Sequence, residues 1–585
     1  MKAKETYKEL KKDAQSNLAV TNKKIRSIVF LRLITFLFTS LFIYLFIEVS
    51  LLAIFIGLFG SFIFIVLVKK NGTLNRKKKY YNELISINNK EFMALSFNYS
   101  FFDNGNEFKD SNHFFSNDID LFGDNSFFQC LNRTQTFEGK QLLAENLISN
   151  DIDQIIYKQE AIKELKSKTK WRQNFSALGS LVPKNISTIS LLNELQNHKT
   201  ILNPNIIYIL WLFPITSSIL LCMYGYIPNS IIAFWFFIGL GFVGYYVKKT
   251  NDLVKKLSKF ENGLKEYADL ILLIENTNFE SKKLNDVKLK ISSEINSASV
   301  NTKKLFKIIS QLNNRHNLII GFLGNGFALW DLQYVYQFEK WLKNNLNNTV
   351  KWFEAVHEID SLIGMGTYAF NHDYIFPVIE EKSNQIQSEC LAHPLIHSDK
   401  SISNNYDIKF GDFQIITGAN MAGKSTFLRT ISIAILSANC GLPVCAKSFN
   451  YSPIKLITSM RSSDSLSNEE SYFFSELKRL RFIIDELKNQ PYFIVLDEIL
   501  KGTNSKDKEE GSKKFVGKLI DLKSTGVIAT HDLSLCKMAE QNEQVINMFF
   551  DAEIVDGELF FDYQFKEGVC QNMNASYLLE KMGIT

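Results

Sequence analysis

Apolar residues in this chain of 585 are gathered into blocks rather than scattered. Between Arg32 and Lys69 the sole charged residue is Glu48, and residues 200–247 contain no Asp, Glu, Lys or Arg. One helix through the first block would be about 54 Å long at 1.5 Å per residue. The hydrocarbon layer of a bilayer is about 30 Å thick, so the block predicts two crossings. A carboxylate in mid-membrane is costly, which puts Glu48 at the turn between them. Pro228-Asn229 supplies a turn near the middle of the second block. Lys23, Lys24 and Arg26 precede the first hairpin, and Lys69, Lys70 and Arg76 to Lys79 follow it. Lys199 precedes the second, and Lys248-Lys249 follow it. Both hairpins are therefore expected to have their ends on the positive, cytoplasmic side, giving four crossings. The opening MKAKETYKELKKDAQS is too long and too acidic for the first region of a signal peptide.

Elsewhere the pattern changes period. Residues 251–317 are polar with recurring Leu253, Leu257, Phe260, Leu264, Leu270 and Leu273, as expected of lever helices or a coiled coil descending from the second hairpin. The stretch SYFFSELKRLRFIIDELK (471–488) places Phe473, Phe474, Leu477, Leu480, Ile484 and Leu487 on one helical face. Short apolar runs at FQIIT (413–417), YFIVLDEI (492–499) and GVIAT (526–530) predict buried strands. The fold expected is an α/β phosphate-loop NTPase domain at the C-terminal side. An all-α lever and core region precedes it, interrupted by the two hairpins.

Composition adds little. The net charge of +5 is small for this length and includes the basic run beside a hairpin, so it argues weakly for nucleic acid. Seven cysteines without a C-x-x-C pair read as reduced thiols rather than a disulfide framework or zinc site.

The candidate chemistry begins at Gly418-Ala419-Asn420-Met421-Ala422-Gly423-Lys424-Ser425, which fits G-x-x-x-x-G-K-[ST] between a strand and the helix STFLRTISIAIL (425–436), with Thr426 also expected at the nucleotide. Backbone N–H groups of such a loop close around phosphate oxygens, helped by the positive end of the helix. Lys424 would reach the β- and γ-phosphates of ATP, and the Ser425 hydroxyl would bind Mg²⁺. Asp497, at the end of an apolar strand, is placed to hold the same Mg²⁺; Glu498 would orient or deprotonate the attacking water. His531 follows the third strand and is expected to sense the γ-phosphate. Ser471, at the start of an amphipathic helix, offers another anion site. Since the loop already serves one nucleotide, this second site would serve that of a partner subunit.

These residues resemble the MutS family of mismatch-repair ATPases. HPL (393–395), TGANMAGKSTFLRT, TSMRSSDSL (458–466), SYFFSE, LDEILKGTNSKD (496–507) and ATHD (529–532) occur in that family's order. NASYLLEKMGI (574–584) looks like its C-terminal helix. LFGDNSFFQCLNRTQTFEGKQLLAENL (121–147) and WFEAVHEIDSLIGMGTYA (352–369) are similar to the two ends of its helical core. The resemblance implies a homodimer with two composite ATP sites, pairing Lys424, Ser425, Asp497, Glu498 and His531 of one chain with Ser471 of the other. Asn420 and the 502–507 loop would lie near the dimer seam, and ATP turnover would move the lever helices. The chain also departs from the family. Ala419 and Ala422 stand where Pro and Gly are usual, Glu469-Glu470-Ser471-Tyr472 replaces Gly-Arg-Ser-Thr, and Leu500-Lys501 replaces Gly-Arg. The mismatch-reading domain and the DNA clamp have no counterpart, and the hairpins occupy the corresponding places.

The expected division is a cytoplasmic segment (1–27), a first transmembrane hairpin (28–68), a linker (69–114), the first part of the helical core (115–204), a second hairpin (205–247), levers and the rest of the core (248–385), and the ATPase domain (386–585). The reading that follows is a membrane-anchored, Mg-dependent ATPase switch with the bilayer and an unidentified protein as further partners. A tethered DNA-binding protein of mismatch repair or DNA-structure sensing is the alternative. A pump of the ABC type ranks below both, since four crossings are few and no L-S-G-G-Q stretch is present.

Overall fold

The computed structural model describes residues 2–184, 186–203, 205–292, 297–461, 472–555 and 558–571. Two long antiparallel helices come first, α1 (Lys2–Leu45) and α2 (Ser50–Ala94), and Glu48 lies in the turn between them. Glycine makes their close approach feasible: a side chain at Gly60 would run into Thr39. Around the turn, Phe30, Leu51, Phe55 and Phe62 are all more than half exposed, an apolar surface far beyond what water tolerates without a partner.

Residues 69–94, expected as linker, instead continue α2. No proline or glycine pair interrupts the helix there, and Arg76 on its flank is held by Glu266 and, at 2.5 Å, by Asp269. One member of the basic run is thus consumed inside the protein.

The helical region follows as α3 (Phe127–Leu131), α4 (Phe137–Ile148), α5 (Ile155–Ser167), α6 (Thr169–Gly179) and α7 (Thr188–Gln196). The second apolar block forms α8 (Ile206–Cys222) and α9 (Asn229–Leu257), with Pro228 at the start of α9. Then come α10 (Glu261–Glu275), α11 (Lys282–Leu289), α12 (Ala298–Asn313), a π-helical stretch (Ile319–Gly324), α13 (Asn325–Ala328) and α14 (Trp330–Asn371). Among the described residues, three helices could cross a membrane by length and composition: Lys2–Leu45, Leu51–Ala94 and Asn229–Glu275. Ile206–Cys222 is a shorter apolar helix, so the fourth expected crossing rests on 17 residues.

α14 is the spine of the core, with Trp352, Phe353, Ile359 and Ile363 buried against the surrounding helices. Asp360, fully buried on it, accepts the Thr136 hydroxyl at 2.7 Å and the backbone N–H groups of Thr136 and Gln135. Burial pushes its carboxyl up to about 6, against the pull of those donors. The base of the α1–α2 pair is tied to the far end of α14 by a polar knot. Arg133 bonds Glu91 at 2.5 Å, Asn371 donates to Glu91 at 2.8 Å, and Tyr7 donates to Asn371 at 2.5 Å.

The C-terminal part contains β1 (Val378–Ile379), β2 (Gln385–Leu391), β3 (Asn404–Lys409), β4 (Phe413–Gly418), α15 (Lys424–Asn439), β5 (Ser448–Tyr451), β6 (Lys455–Ser459), α16 (Tyr472–Leu487), β7 (Tyr492–Asp497), α17 (Ser505–Asp521), β8 (Thr525–Ala529), β9 (Val545–Phe550), the ribbon β10 (Glu553–Val555) and β11 (Glu558–Phe560), and β12 (Phe565–Glu567). A six-stranded sheet in the order β12-β9-β4-β8-β7-β6 is parallel except for β12. A four-stranded sheet, β1-β5-β2-β3, lies beside it in the chain. The central strands β4, β7 and β8 are almost entirely buried, as their unbroken apolar runs require when helices cover both faces.

Arg133→Ala is expected to cost about 3–5 kcal/mol in unfolding free energy, because Glu91 would keep a buried, unpaired charge. Glu91→Gln added to it should recover part of that loss, measured by urea unfolding in detergent.

Candidate functional site

Sheet order brings the site together. β4 lies between β9 and β8, and β7 lies on the other side of β8, so the loops after β4, β7 and β8 open at one edge. Asp497 is in register with Ala529. The loop after β4 turns through three left-handed positions, Gly418 (φ +150°), Met421 (φ +67°) and Gly423 (φ +101°). At Gly418 even a methyl group would press on the Phe550 carbonyl oxygen at 2.6 Å, which requires glycine there. Ala422 is not among the left-handed residues, so its side chain adds no backbone strain. α15 then begins at Lys424 with its N-terminal N–H groups facing the loop.

Lys424 folds back over its own loop, donating to the carbonyls of Gly418 (2.7 Å) and Ala419 (3.0 Å). Burial lowers its pKa from the ordinary lysine value, while Glu498 and Asp497 pull the other way. The Ser425 hydroxyl donates to Asp497 Oδ2 at 2.6 Å. Glu498 sits at φ +49°, a costly conformation for a residue with a side chain, and its N–H is fixed by the Ala529 carbonyl at 2.9 Å. Its Oε1 lies 3.0 Å from His531 Nε2, and that hydrogen bond is the main reason its carboxyl falls to about 2. Lys424 Nζ approaches the same His531 Nε2 at 3.3 Å. One ring nitrogen cannot serve both: it accepts from Lys424 when bare and donates to Glu498 when it carries hydrogen.

Residues 419–426, Asn420 and Thr426 among them, line a cavity of about 480 Å³, within the usual range for a small-molecule site. Its other walls come from residues the sequence did not single out, including Ile396, Ile402, Tyr563 and Phe427. His393 also lines it, and burial lowers its pKa to about 4, so its ring is neutral at ordinary pH. No local signal marks the apolar wall, because it is assembled from segments 170 residues apart. Ser425 and Asp497 present two hard oxygen ligands side by side, a donor set that suits Mg²⁺ together with phosphate and water.

Ser471, the acids before it and the 574–584 segment lie outside the described residues. α16 itself shows a role that was not foreseen. The Glu476 carboxylate accepts the N–H groups of Leu500 (2.5 Å) and Lys501 (3.0 Å), holding the loop just beyond Glu498. One turn on, Arg479 donates to the carbonyls of His113 (2.9 Å), Phe114 (2.6 Å) and Thr458 (2.7 Å).

The family profile described as MutS domain V matches residues 414–582. MutS protein homolog 4 of Homo sapiens is 28% identical over 235 residues, 38% of this chain and 25% of that protein. DNA mismatch repair protein MutS of Clostridium botulinum (strain Okra / Type B1) is 28% identical over 251 residues, 41% of this chain and 27% of that protein. The chain is thus matched to about a quarter of the length of these curated relatives.

Glu476→Ala would leave two backbone donors unpaired next to Glu498 and is expected to destabilise the protein by about 2 kcal/mol. Glu476→Gln, which keeps one acceptor oxygen, should lose roughly half as much in the same urea unfolding measurement.

Proposed function

This chain belongs to the MutS family, and from that premise we propose that it is a membrane-anchored ATPase switch, a homodimer with two composite nucleotide sites. The observation that carries the reading is that Lys424, Ser425, Glu498 and His531 line one cavity, with Glu498 paired to His531 and Asp497 accepting the Ser425 hydroxyl. The phosphates of ATP would sit on the 418–425 loop and the helix N-terminus, drawing Lys424 away from its two carbonyl partners. Ser425 and Asp497 would hold Mg²⁺, which when bound neutralises charge on the phosphates. Glu498, kept ionised by its histidine partner, is suited to orient an attacking water, and His531 to report the γ-phosphate to it. Ser471 of the partner subunit would complete each site. The broad exposed apolar faces of α1 and α2, and the composition of α9, support anchoring in a bilayer, and the Lys and Arg residues flanking both apolar blocks favour the ATPase on the cytoplasmic side.

A second reading, a tethered DNA-binding protein, draws its support from the name of the bacterial relatives. ATP turnover measured on the purified chain, with and without duplex, mismatched and branched DNA, separates the two. Glu498→Gln is expected to lower kcat by about 100-fold or more while nucleotide still binds. Ser471→Ala is expected to lower turnover as well, and Lys424→Ala to lose binding. Turnover indifferent to DNA supports the membrane switch. DNA stimulation that both Glu498→Gln and Ser471→Ala abolish, with an affinity falling steeply in salt, supports the second reading. Undiminished turnover in Glu498→Gln overturns the assignment of that residue.

A further inference from the structure

We propose that the tip joining α12 to α14, residues 318–329, is an additional membrane-inserted element whose exposed face meets lipid acyl chains. The proposal rests on the reading of α8 and α9 as a membrane hairpin. At twelve residues the tip is too short to span a bilayer, but it is apolar almost throughout: Leu318, Ile319, Phe322, Leu323, Phe327 and Leu329. Leu318, Ile319, Phe322 and Leu323 form one exposed face, from 47% for Leu323 to 83% for Leu318.

The other face is fastened to α9. Phe236 packs between Phe322 and Phe327 with ring centroids 4.9 and 5.0 Å away. Gly326 and Gly239 come so close that a side chain on either would collide, with Phe236 in the first case and the Gly326 carbonyl in the second. Small residues permit this kind of backbone approach between membrane helices.

Depth decides what lies outside the tip. The charge-free part of α9 runs from Asn229 to the residue before Lys248, about 28 Å of helix. Gly239 is about 15 Å from one end and about 12 Å from the other. The tip therefore packs at the middle of the apolar span. If α9 crosses the bilayer, the exposed residues beside it lie in hydrocarbon, as do the exposed Phe234, Phe237 and Trp211 of the hairpin.

The opposite charges of Arg315 and Asp331 that flank the tip are paired with each other, as such a location favours. Arg315 on the way in pairs with Asp331 on the way out at 2.9 Å, and Asp331 is fully buried. Pro214 in α8 has no N–H for the Leu210 carbonyl four residues earlier, and the Gln333 side-chain amide of α14 donates to that carbonyl instead. α14 is thus locked to both helices of the hairpin, to α9 through the tip and to α8 through Gln333.

The test uses the full chain in nanodiscs of phosphatidylcholine and phosphatidylglycerol, with Cys222, Cys390 and Cys445 changed to Ser. Leu318→Cys or Ile319→Cys is labelled with the environment-sensitive fluorophore NBD. Phe237→Cys on α9 and Val300→Cys on α12 are the hydrocarbon and water references. All four positions are more than half exposed, so the substitutions leave the core intact. NBD at 318 and 319 is expected to emit at the short wavelength seen at 237 and to lose most of its emission to lipids spin-labelled in mid-chain. Quenching at 237 with water-like emission at 318 and 319 would overturn the inserted tip and leave the membrane reading standing. Short-wavelength emission at the tip without lipid quenching would mean that protein, such as a second copy, covers it, and would also overturn the proposal. Absence of quenching at 237 as well would remove the membrane reading itself.

Discussion

The hydrogen-bond ladder of α14 runs unbroken for 42 residues, which makes it a rod roughly 63 Å long, and the other parts of the chain are arranged by what it touches. Its first turns carry Asp331 and Gln333 beside the second apolar hairpin. Its middle buries Trp352 and Phe353, and Asp360 there holds the start of α4. Its last turn presents Asn371 to Tyr7 and Glu91, at the base of the first helix pair. Seven residues later the chain enters the first strand of the C-terminal part. A close-packed rod resists local bending, so displacement at one end is transmitted rather than absorbed.

The buried charges along this rod are better explained by geometry than by stability. A buried ion pair seldom outperforms apolar packing of the same size, yet breaking one is expensive. Glu91 and Arg133 are almost completely buried, and Arg133 also stacks over Phe102 with its guanidinium 3.6 Å from the ring centre. Nearby, Arg172 donates to the Leu165 carbonyl at 2.7 Å and to Thr367 on α14. Each of these groups has one arrangement that satisfies it. Together they fix the angle at which α1 and α2 leave the core, which apolar contacts alone would leave free to slide.

What could be read in the sequence was local. The loop between β4 and α15, Asp497 at the end of β7 and Glu48 in the turn between α1 and α2 are each set by neighbours within a few residues. The continuation of α2 through residues 69–94 was missed because a basic, polar stretch after an apolar run reads equally well as a linker. Only its docking partners, Glu266 and Asp269, reveal a structured flank. The tip at 318–329 falls below the length at which hydropathy marks a crossing, and its significance lies in Phe236 and Gly239, some 85 residues away. The walls of the 480 Å³ cavity and the grip of Glu476 are likewise tertiary facts. SYFFSE was visible as a motif, but nothing in it says what its glutamate holds.

Between the candidate site and the rod there is a short contiguous path. Glu498 is two residues from Leu500 and three from Lys501, whose N–H groups are held by Glu476 of α16. On the same helix Arg479 grips the carbonyls of His113 and Phe114, and Asp118 close by accepts the Thr458 hydroxyl and the Arg461 N–H. That segment leads within a few residues to Phe122 and Phe128, which pack on each other, and to Phe127, which meets Tyr368 of α14 edge-on at 5.6 Å. A change in the backbone after Glu498 must therefore move α16 or break two charge-assisted bonds, and α16 cannot move without pulling on the chain that packs against the rod. Adjacency alone does not establish coupling, since coupling needs an element with two arrangements. The loop after Glu498 is suited to be one. Glu498 and Leu500 are both held at positive φ, and Lys424 is bonded to loop carbonyls that a bound phosphate would contest. Strain at Glu498 and Leu500 and a lysine bonded to loop carbonyls give the site something to release when phosphate binds, and α16 stands next to where it would be released.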